Sequence, residues 1–170
     1  MKYIIAILLV CTATFADSRT LMSSPIIGNT IMANNPAEEC LALNVYYEAR
    51  GQSVIGAMAV AEVTMNRVKS KKFRNHVCQV VYRAWAFSWT SDRSLHRVTP
   101  NLDSVVDARA WTRSLLIARR YIDGVNSNIT RGALFFHARY VSPYWAKCFT
   151  QTIVIDDHIF YKNNLQRRSC

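Results

Sequence analysis

The stretch CLALNVYYEARGQSVIGAMAVAEVTMNRV, residues 40–68, contains two helical patterns separated by a turn. In the first pattern Leu41, Val45 and Glu48 share one face, because residues spaced by three or four positions lie above one another on a helix. Gly51 is a natural stop for that helix. A second helix is predicted from about Ser53 to Val68, and its small residues permit close packing against a neighbour. The stretch therefore predicts two packed helices with a carboxylate near the end of the first.

Glu48 is an unusual residue for the last turn of a helix. The negative end of the helix dipole and burial beside Tyr46 and Tyr47 both disfavour its charged form. Both effects raise a carboxyl pKa, and a raised pKa is what a general acid needs near neutral pH. The alternative is a surface glutamate paired with Arg50, and position alone leaves both readings open.

The N-terminus resembles an export signal. Residues 1–16 carry Lys2, then an apolar run, then the small-residue ending of Ala16. This pattern predicts a secretory signal peptide cut after Ala16, with a membrane anchor or an uncleaved signal as alternatives. Residues 17–35 are predicted to be a flexible leader, and residues 36–170 a single domain.

The composition favours a basic exported protein. The chain has 170 residues, 51% of them hydrophobic, and a formal net charge of +10. A charge of this size favours a polyanionic partner such as nucleic acid, an acidic membrane surface or an anionic cell wall. The lysines and arginines form no block long enough to predict a nucleic-acid-binding arm.

Four cysteines follow the predicted signal: Cys40, Cys78, Cys148 and Cys170. An even number in an exported chain predicts disulfides with three possible pairings, and free buried thiols are the alternative. Neither the cysteines nor His137 and His158 have the spacing of a zinc site. We therefore predict no metal and no cofactor.

The rest of the chain predicts an α+β fold. Short and long helices are expected at about Val77–Tyr82 and Asp103–Ile122, and two β-rich segments at 133–141 and 152–162 predict a small sheet or hairpin. Between them, AWAFSWTSD at residues 84–92 is an aromatic run. Such a run belongs either to the core or to a sugar-stacking platform, with Ser88 or Trp89 facing a cleft.

Several of these segments occur together in one known family. The pattern is residues 40–68, then VCQVVY at 77–82, AFSWT at 86–90, FFHARYVSPYWA at 135–146 and DHIFY at 157–161. In this order they resemble the SleB-like cell wall hydrolases, which include spore-cortex-lytic enzymes and related phage and bacterial lysins. The resemblance covers roughly residues 38–162, and the combination is specific although each piece alone is weak.

The resemblance implies a lysozyme-like fold, mostly helical with a small β-sheet or hairpin in the C-terminal third. It implies cleavage of peptidoglycan glycan strands between N-acetylmuramic acid and N-acetylglucosamine, with the catalytic glutamate at Glu48. Further roles in binding or orienting substrate are predicted for a set of nearby residues: Phe87, Ser88, Trp89, His137 and Tyr161. Each of these is open to a purely structural reading.

Two positions depart from the family pattern. Gln52 occupies a site where the family usually has a second acid, and Ala86 replaces a glutamine before the FSW motif. The first departure argues against an obligatory acid at position 52. The second removes a polar group that lines the cleft in the family pattern, so substrate contacts there are in doubt.

The residues favour one glycan-cleaving mechanism over another. Most glycosidases need two carboxylates, and this chain offers one well-placed glutamate, since Glu62 is expected to cap or pair. A lytic transglycosylase needs one acid, because the muramyl 6-hydroxyl attacks its own C1 to give a 1,6-anhydro product. We therefore predict a transglycosylase, with a water-using muramidase as the alternative.

Two other functions compete with glycan cleavage. One is a peptidase that uses Cys148 and His158, which needs a free thiolate at Cys148. The other is a non-catalytic basic module that binds the wall, with a structural Glu48. The preferred reading is a secreted or periplasmic monomer at the cell wall, whose partners are peptidoglycan and the anionic wall surface, with no nucleic acid and no stable membrane span after signal removal.

Overall fold

The computed structural model describes residues 26–27, 30–96 and 103–163. Residues 1–16, predicted to be the signal peptide, and Cys170 lie outside the described residues. The helices of the described part are α1 (Pro36–Ala49), α2 (Val54–Lys69), α3 (Val77–Val81) and α4 (Val105–Ile122). The strands are β1 (Ile26–Ile27), β2 (Thr30–Ile31), β3 (Phe135–Ala138), β4 (Thr150–Ile155) and β5 (His158–Lys162).

Local capping sets the start of each of the first two helices. Asn35 accepts a hydrogen bond from the backbone N–H of Glu38 through its side-chain oxygen, and Pro36 occupies the first turn. The Ser53 hydroxyl accepts from the N–H of Gly56 in the same way at the start of α2. These contacts satisfy N–H groups that have no partner inside a helix. The second helix thus begins and ends within one residue of its expected bounds, and the first ends shortly before the expected stop at Gly51.

Helix α1 lies at the centre of the helical part and packs against α2, α3 and α4. Its N-terminal half is fixed by two cross-links. A disulfide joins Cys40 to Cys78 and ties α1 to α3. The buried Glu38 carboxylate forms an ion pair with Arg119 of α4. Cys148 is also disulfide-bonded, so it offers no thiolate for the peptidase reading.

The C-terminal part forms a three-stranded antiparallel sheet in the order β3–β5–β4. The central strand places Phe160 under α2, where it packs with Ala59, Val63 and Ala133. At the β4–β5 turn, the Asp156 carboxylate accepts from the backbone N–H of Ser53 at 2.9 Å. This contact holds one end of the sheet against the α1–α2 loop.

The fold class is the predicted one: mostly helical, with a small sheet in the C-terminal third. The sheet has a third strand, β3, beyond a simple hairpin, because Phe135–Ala138 pairs with Tyr161–His158. The segment predicted to be a leader contains β1 and β2, which pair with each other. Among the helices that the structure describes, none is both long and apolar enough to cross a membrane.

Candidate active site

A cavity of about 440 Å³ lies between the ends of α1 and α2, the segment before a short 3-10 helix, and strand β3. We call it the active-site cavity. It is lined by residues from five separate parts of the chain: Tyr47, Glu48, Arg67, Ala86, Phe87, Ser88, Phe136, His137, Ala138, Tyr140, Val141 and His158. The sheet and the helices therefore each supply one wall, and the turn contact at Ser53 keeps the two walls together.

Glu48 contributes the cavity's carboxyl group. Its side chain is mostly buried and accepts no hydrogen bond from any residue in the described ranges. Burial raises the pKa of Glu48 to about 7, and the nearby charge of Arg67 opposes that rise. A carboxyl with this pKa is half protonated near neutral pH, so it can give up a proton and take one back.

Arg67 is held beside the cavity by contacts that leave part of its guanidinium free. Its Nε donates to the backbone carbonyl of Leu134 at 2.7 Å, and its guanidinium lies over the Phe87 ring at 4.8 Å. Burial lowers the pKa of Arg67 to about 10, and Glu48 raises it in return. The two side chains form no ion pair within the described structure, so Glu48 keeps both oxygens available.

His137 lies in the cavity wall with both ring nitrogens engaged. Nδ1 lies 2.9 Å from the backbone oxygen of Ala138, and Nε2 lies 2.9 Å from the Tyr161 hydroxyl. Because a carbonyl oxygen only accepts, Nδ1 carries a proton, and in the neutral ring Nε2 then accepts from the Tyr161 hydroxyl. The His137 and Tyr161 rings also stack at 5.2 Å. Tyr161 does not line the cavity itself, and it contacts the His137 ring through this hydrogen bond and by stacking.

The three predicted residues of the aromatic run separate in space. Phe87 and the exposed Ser88 line the cavity. Trp89 does not line it: its side chain is 7% exposed, stacks on Tyr47 at 4.8 Å and donates from Nε1 to Asn44 at 2.9 Å. A buried ring has no free face for a sugar, so Trp89 has the position of a core residue. The backbone turns from extended at Phe87 into the 3-10 helix Ser88–Ser91, and this directs Trp89 inward.

Two basic residues of the cavity lining, Arg67 and His158, were not among the predicted site residues. Arg67 is a charged residue on the buried side of a helix, which is a recognisable signal because unpaired buried charges are rare. His158 lines the cavity, and its buried Nδ1 has no hydrogen-bond partner among the residues that the structure describes. Burial lowers the pKa of His158, which favours a neutral ring. The alternation of residues in β5 puts His158 on the inward face with Phe160, and that alternation was visible in the sequence.

No second carboxylate lines the active-site cavity in the part of the chain that the structure describes. Glu62, on the next helix, is 2% exposed and accepts from the backbone N–H groups of Ile129 and Thr130 and from the hydroxyls of Thr130 and Ser127. These donors anchor the loop before β3. Glu62 therefore caps backbone N–H groups of this loop, which is one of the two roles expected of it.

The two departures from the family pattern have different surroundings. The Gln52 side chain donates to the Asp157 carboxylate at 3.1 Å and accepts from the Asp157 backbone N–H at 3.2 Å. This pair of contacts fastens the α1–α2 loop to the β4–β5 turn. Ala86 lines the active-site cavity and offers it no polar side-chain group.

The fold and the cavity together define an α+β domain in which one carboxyl group with a raised pKa lies in a cleft. The sequence model of a family described as cell wall hydrolases matches residues 51–161, and the chain belongs to that family. The match begins just after Glu48. The SleB-like resemblance in the sequence is thereby confirmed.

Two solved structures share the fold. The catalytic domain of the Bacillus cereus SleB protein is 28% identical with a TM-score of 0.55, covering 79% of this chain and 96% of that one. The catalytic domain of the germination-specific lytic transglycosylase SleB from Bacillus anthracis is 28% identical with a TM-score of 0.58, covering 80% of this chain and 100% of that one.

Spore cortex-lytic enzymes are similar over a shorter stretch. The Bacillus cereus enzyme is 40% identical over 63 residues, which is 37% of this chain and 24% of the enzyme. The Bacillus subtilis enzyme is 38% identical over 78 residues, or 44% of this chain and 25% of the enzyme. The chain thus spans about a quarter of the length of these relatives.

Proposed function

We propose that this protein cleaves the glycan strands of peptidoglycan between N-acetylmuramic acid and N-acetylglucosamine, as a lytic transglycosylase with Glu48 as general acid and base. One observation carries the proposal: Glu48 is the single carboxylate among the described residues of the cavity, and its pKa is raised to about 7. Membership of the cell wall hydrolase family supports the substrate. The name of the Bacillus anthracis structure, a lytic transglycosylase, supports the reaction.

The proposed reaction uses one carboxyl group twice. Protonated Glu48 donates its proton to the glycosidic oxygen as the bond from that oxygen to the muramyl C1 breaks. The Glu48 carboxylate then takes the proton of the 6-hydroxyl on the same muramyl residue, whose oxygen forms a new bond to C1. The products are a free sugar hydroxyl and a 1,6-anhydro-muramyl end, and Glu48 is protonated again. An internal nucleophile needs no second carboxylate, because proximity replaces activation of a water.

Arg67 and Ser88 have supporting roles in this proposal. The Arg67 charge stabilises the Glu48 carboxylate in the interval between the two proton transfers, because opposite charges in a partly buried site attract strongly. The exposed Ser88 hydroxyl lies in the same cavity, where it can hydrogen-bond to the sugar. The Phe87 ring lies beneath the Arg67 guanidinium and fixes its position.

His137 is proposed to shape the cavity wall without transferring protons. Both of its ring nitrogens are already engaged, by Ala138 and by the Tyr161 hydroxyl. A general base needs a nitrogen free to reach the substrate. We therefore assign substrate positioning to His137, with Tyr161 as the residue that orients it.

The charge of the chain indicates where the enzyme works. A net charge of +10 favours attraction to the anionic wall surface, and salt should weaken this attraction. Together with the predicted signal peptide, it supports a secreted or periplasmic protein at the cell wall.

The test is a digest of purified peptidoglycan by the protein, with Glu48→Gln as the control, followed by mass spectrometry of the soluble products. The expected products are lighter by one water than reducing-end muropeptides and are absent from the control digest. Reducing-end products would identify a water-using muramidase at the same site. Intact wall binding without any release, by wild type and variant alike, would reject the enzyme and favour a non-catalytic wall-binding module.

A further inference from the structure

One further cavity adjoins the active-site cavity, and a second adjoins the first and includes residues of the loop that follows α2. The first, of about 570 Å³, shares Arg67, Ala86 and Phe136 with the active-site cavity, and we call it the aromatic cavity. The second, of about 810 Å³, shares Phe73 and Arg83 with the aromatic cavity, and we call it the basic cavity. The shared lining residues show that the aromatic cavity lies between the other two cavities and borders both.

The aromatic cavity is lined by seven aromatic residues, two of which are largely exposed to solvent. Its aromatic lining consists of Phe73, Trp85, Phe135, Phe136, Tyr144, Trp145 and Phe149. Trp85 is 91% exposed and Tyr144 is 87% exposed. Exposed aromatic groups gathered in a concave surface mark a binding site for a ligand with apolar faces. The faces of pyranose rings have this character.

The backbone at Trp85 supports a binding role. Its φ is 62°, in the left-handed region that bulky residues rarely adopt. This conformation costs free energy. Because the Trp85 side chain is almost fully exposed, packing inside the folded chain does little to offset that cost. An exposed aromatic held at such a backbone position indicates selection for a contact outside the folded chain.

The basic cavity is lined by three cations and, among the described residues, by no acid. Lys72, Arg74 and Arg83 line it and are exposed. No acidic residue lines the aromatic or the basic cavity among the described residues, and no described acid forms an ion pair with these three cations. Arginine side chains match the geometry of carboxylates through paired N–H donors.

We propose that the aromatic and basic cavities bind the part of a glycan strand that extends from the active-site cavity, with sugar rings on Trp85 and Tyr144 and stem-peptide carboxylates on Arg74 and Arg83. The inference rests on the proposed function, and it adds the form of the substrate: a strand that carries its peptides is bound better than a bare one. Because the basic cavity lies beyond the aromatic cavity, the proposed peptide contacts lie on one side of the glycosidic bond that is cleaved.

The test measures binding with Glu48→Gln as the parent, so that no strand is cleaved. Soluble glycan strands are used in two forms, with their stem peptides and after an amidase has removed them. Trp85→Gly removes the ring and relieves the backbone strain. Arg74→Gln/Arg83→Gln removes two charges from the basic cavity. Arg109→Gln/Arg120→Gln removes two charges from α4 residues that line none of the three cavities.

The three variants have different expected results. Trp85→Gly should weaken the binding of both strand forms about fivefold to tenfold, without loss of thermal stability. Arg74→Gln/Arg83→Gln should weaken only the peptide-bearing form, by about threefold or more. The α4 control should leave the ratio between the two forms unchanged.

Several results would overturn the inference. If Trp85→Gly bound the strands as well as the parent, the proposed contact of Trp85 with sugar rings would be wrong. If Arg74→Gln/Arg83→Gln and Arg109→Gln/Arg120→Gln weakened binding equally, the attraction would depend on net charge alone. If Arg74→Gln/Arg83→Gln weakened the binding of both strand forms equally, these arginines would not bind the stem peptides. If wild-type protein also released nothing from peptidoglycan, the proposed function would fail as well, whereas normal release with unaffected binding would reject only this inference.

Discussion

The Glu48 carboxyl and the Arg67 guanidinium face one cavity from the last turns of α1 and α2, and each shifts the other's pKa without forming an ion pair. The arrangement balances two effects on the acid. Burial favours its neutral form, and the cation limits that preference. The acid therefore remains able both to release a proton and to recover it near neutral pH.

The first prediction concerns activity and pH. In the proposed mechanism Glu48 donates a proton to the glycosidic oxygen, and its pKa is about 7, so activity should fall above pH 7. The expected slope is about tenfold per pH unit on the alkaline side. The measurement is the initial rate of muropeptide release across this range.

Ionic strength must be constant in that experiment, because salt weakens attraction between the basic protein and the wall. Arg67→Lys keeps the positive charge and should keep the position of the alkaline limb. A rate that stays level for two pH units above neutrality would contradict a role for Glu48 as the proton donor.

The second prediction concerns stability. Glu48 has a pKa of about 7 when folded and 4.5 as its ordinary value. Between these values the folded protein binds the proton more tightly than the unfolded chain, so wild-type stability falls as pH rises through this window. The Glu48→Gln variant has no carboxyl group at this position, so its stability should not fall with pH for this reason. Its stability should equal that of wild type below about pH 4.5 and exceed it by up to about 3 kcal/mol above pH 7.

Denaturant unfolding at a series of pH values measures this difference. Glu39→Gln is the matched control, because Glu39 is an exposed glutamate in the first turn of the same helix. Relative to wild type, Glu39→Gln should show no gain in the free energy of unfolding that increases with pH. A Glu48→Gln variant that is less stable than wild type at neutral pH would show that the carboxylate is stabilising where it lies.

The third prediction concerns Gln52 and Asp157. Gln52→Glu keeps the acceptor for the Asp157 N–H but replaces the donor to the Asp157 carboxylate with a like charge. The melting temperature should fall by roughly 2–4 °C at neutral pH. Activity should fall too, because this contact holds the sheet side of the cavity against the end of α1.

A second substitution tests the cause of that loss. In Gln52→Glu/Asp157→Asn the new amide can donate to the new carboxylate, which restores the lost hydrogen bond in the opposite direction. Melting temperature and activity should both recover. Failure of the double variant to recover would indicate that the glutamine matters for another reason than this contact.

The helical part of the fold was predictable because its signals are local. Asn35 and Pro36 mark the start of α1, and the periodicity of its apolar residues continues to the turn at Gly51. The position of Glu48 near the end of a buried helix follows from the same local pattern. Its pKa, about 7, is raised as one of the two open alternatives expected, and burial, one of the two causes considered, is the largest cause.

The other cavity walls depend on contacts between distant residues. Arg67 is positioned by Leu134, and Gln52 by Asp157, which lies 105 residues away. Phe87 and Trp89 share one short aromatic motif, yet an irregular backbone turn sends one to the cavity and the other to the core. No periodicity applies within such a turn, so neighbouring sequence gave no basis for choosing between them.

The last prediction concerns the hydrogen bond from Tyr161 to His137. Tyr161→Phe removes the hydroxyl that donates to Nε2 and leaves the ring, so the imidazole keeps its stacking partner but loses one of its two fixed contacts. We expect a loss of activity of about threefold to tenfold from poorer positioning of the cavity wall. Tyr121→Phe is the matched control, because it removes a buried hydroxyl that bonds to Ser127 away from the cavity.

Both variants should lose a similar amount of stability, about 1 kcal/mol, because each loses one buried hydrogen bond. They should differ in turnover, which only Tyr161→Phe lowers. Unfolding curves and rates of muropeptide release, measured on the same samples, separate the two effects. Equal activity of the two variants would mean that Tyr161 supports the sheet alone, and the assignment of His137 to substrate positioning would lose its structural basis.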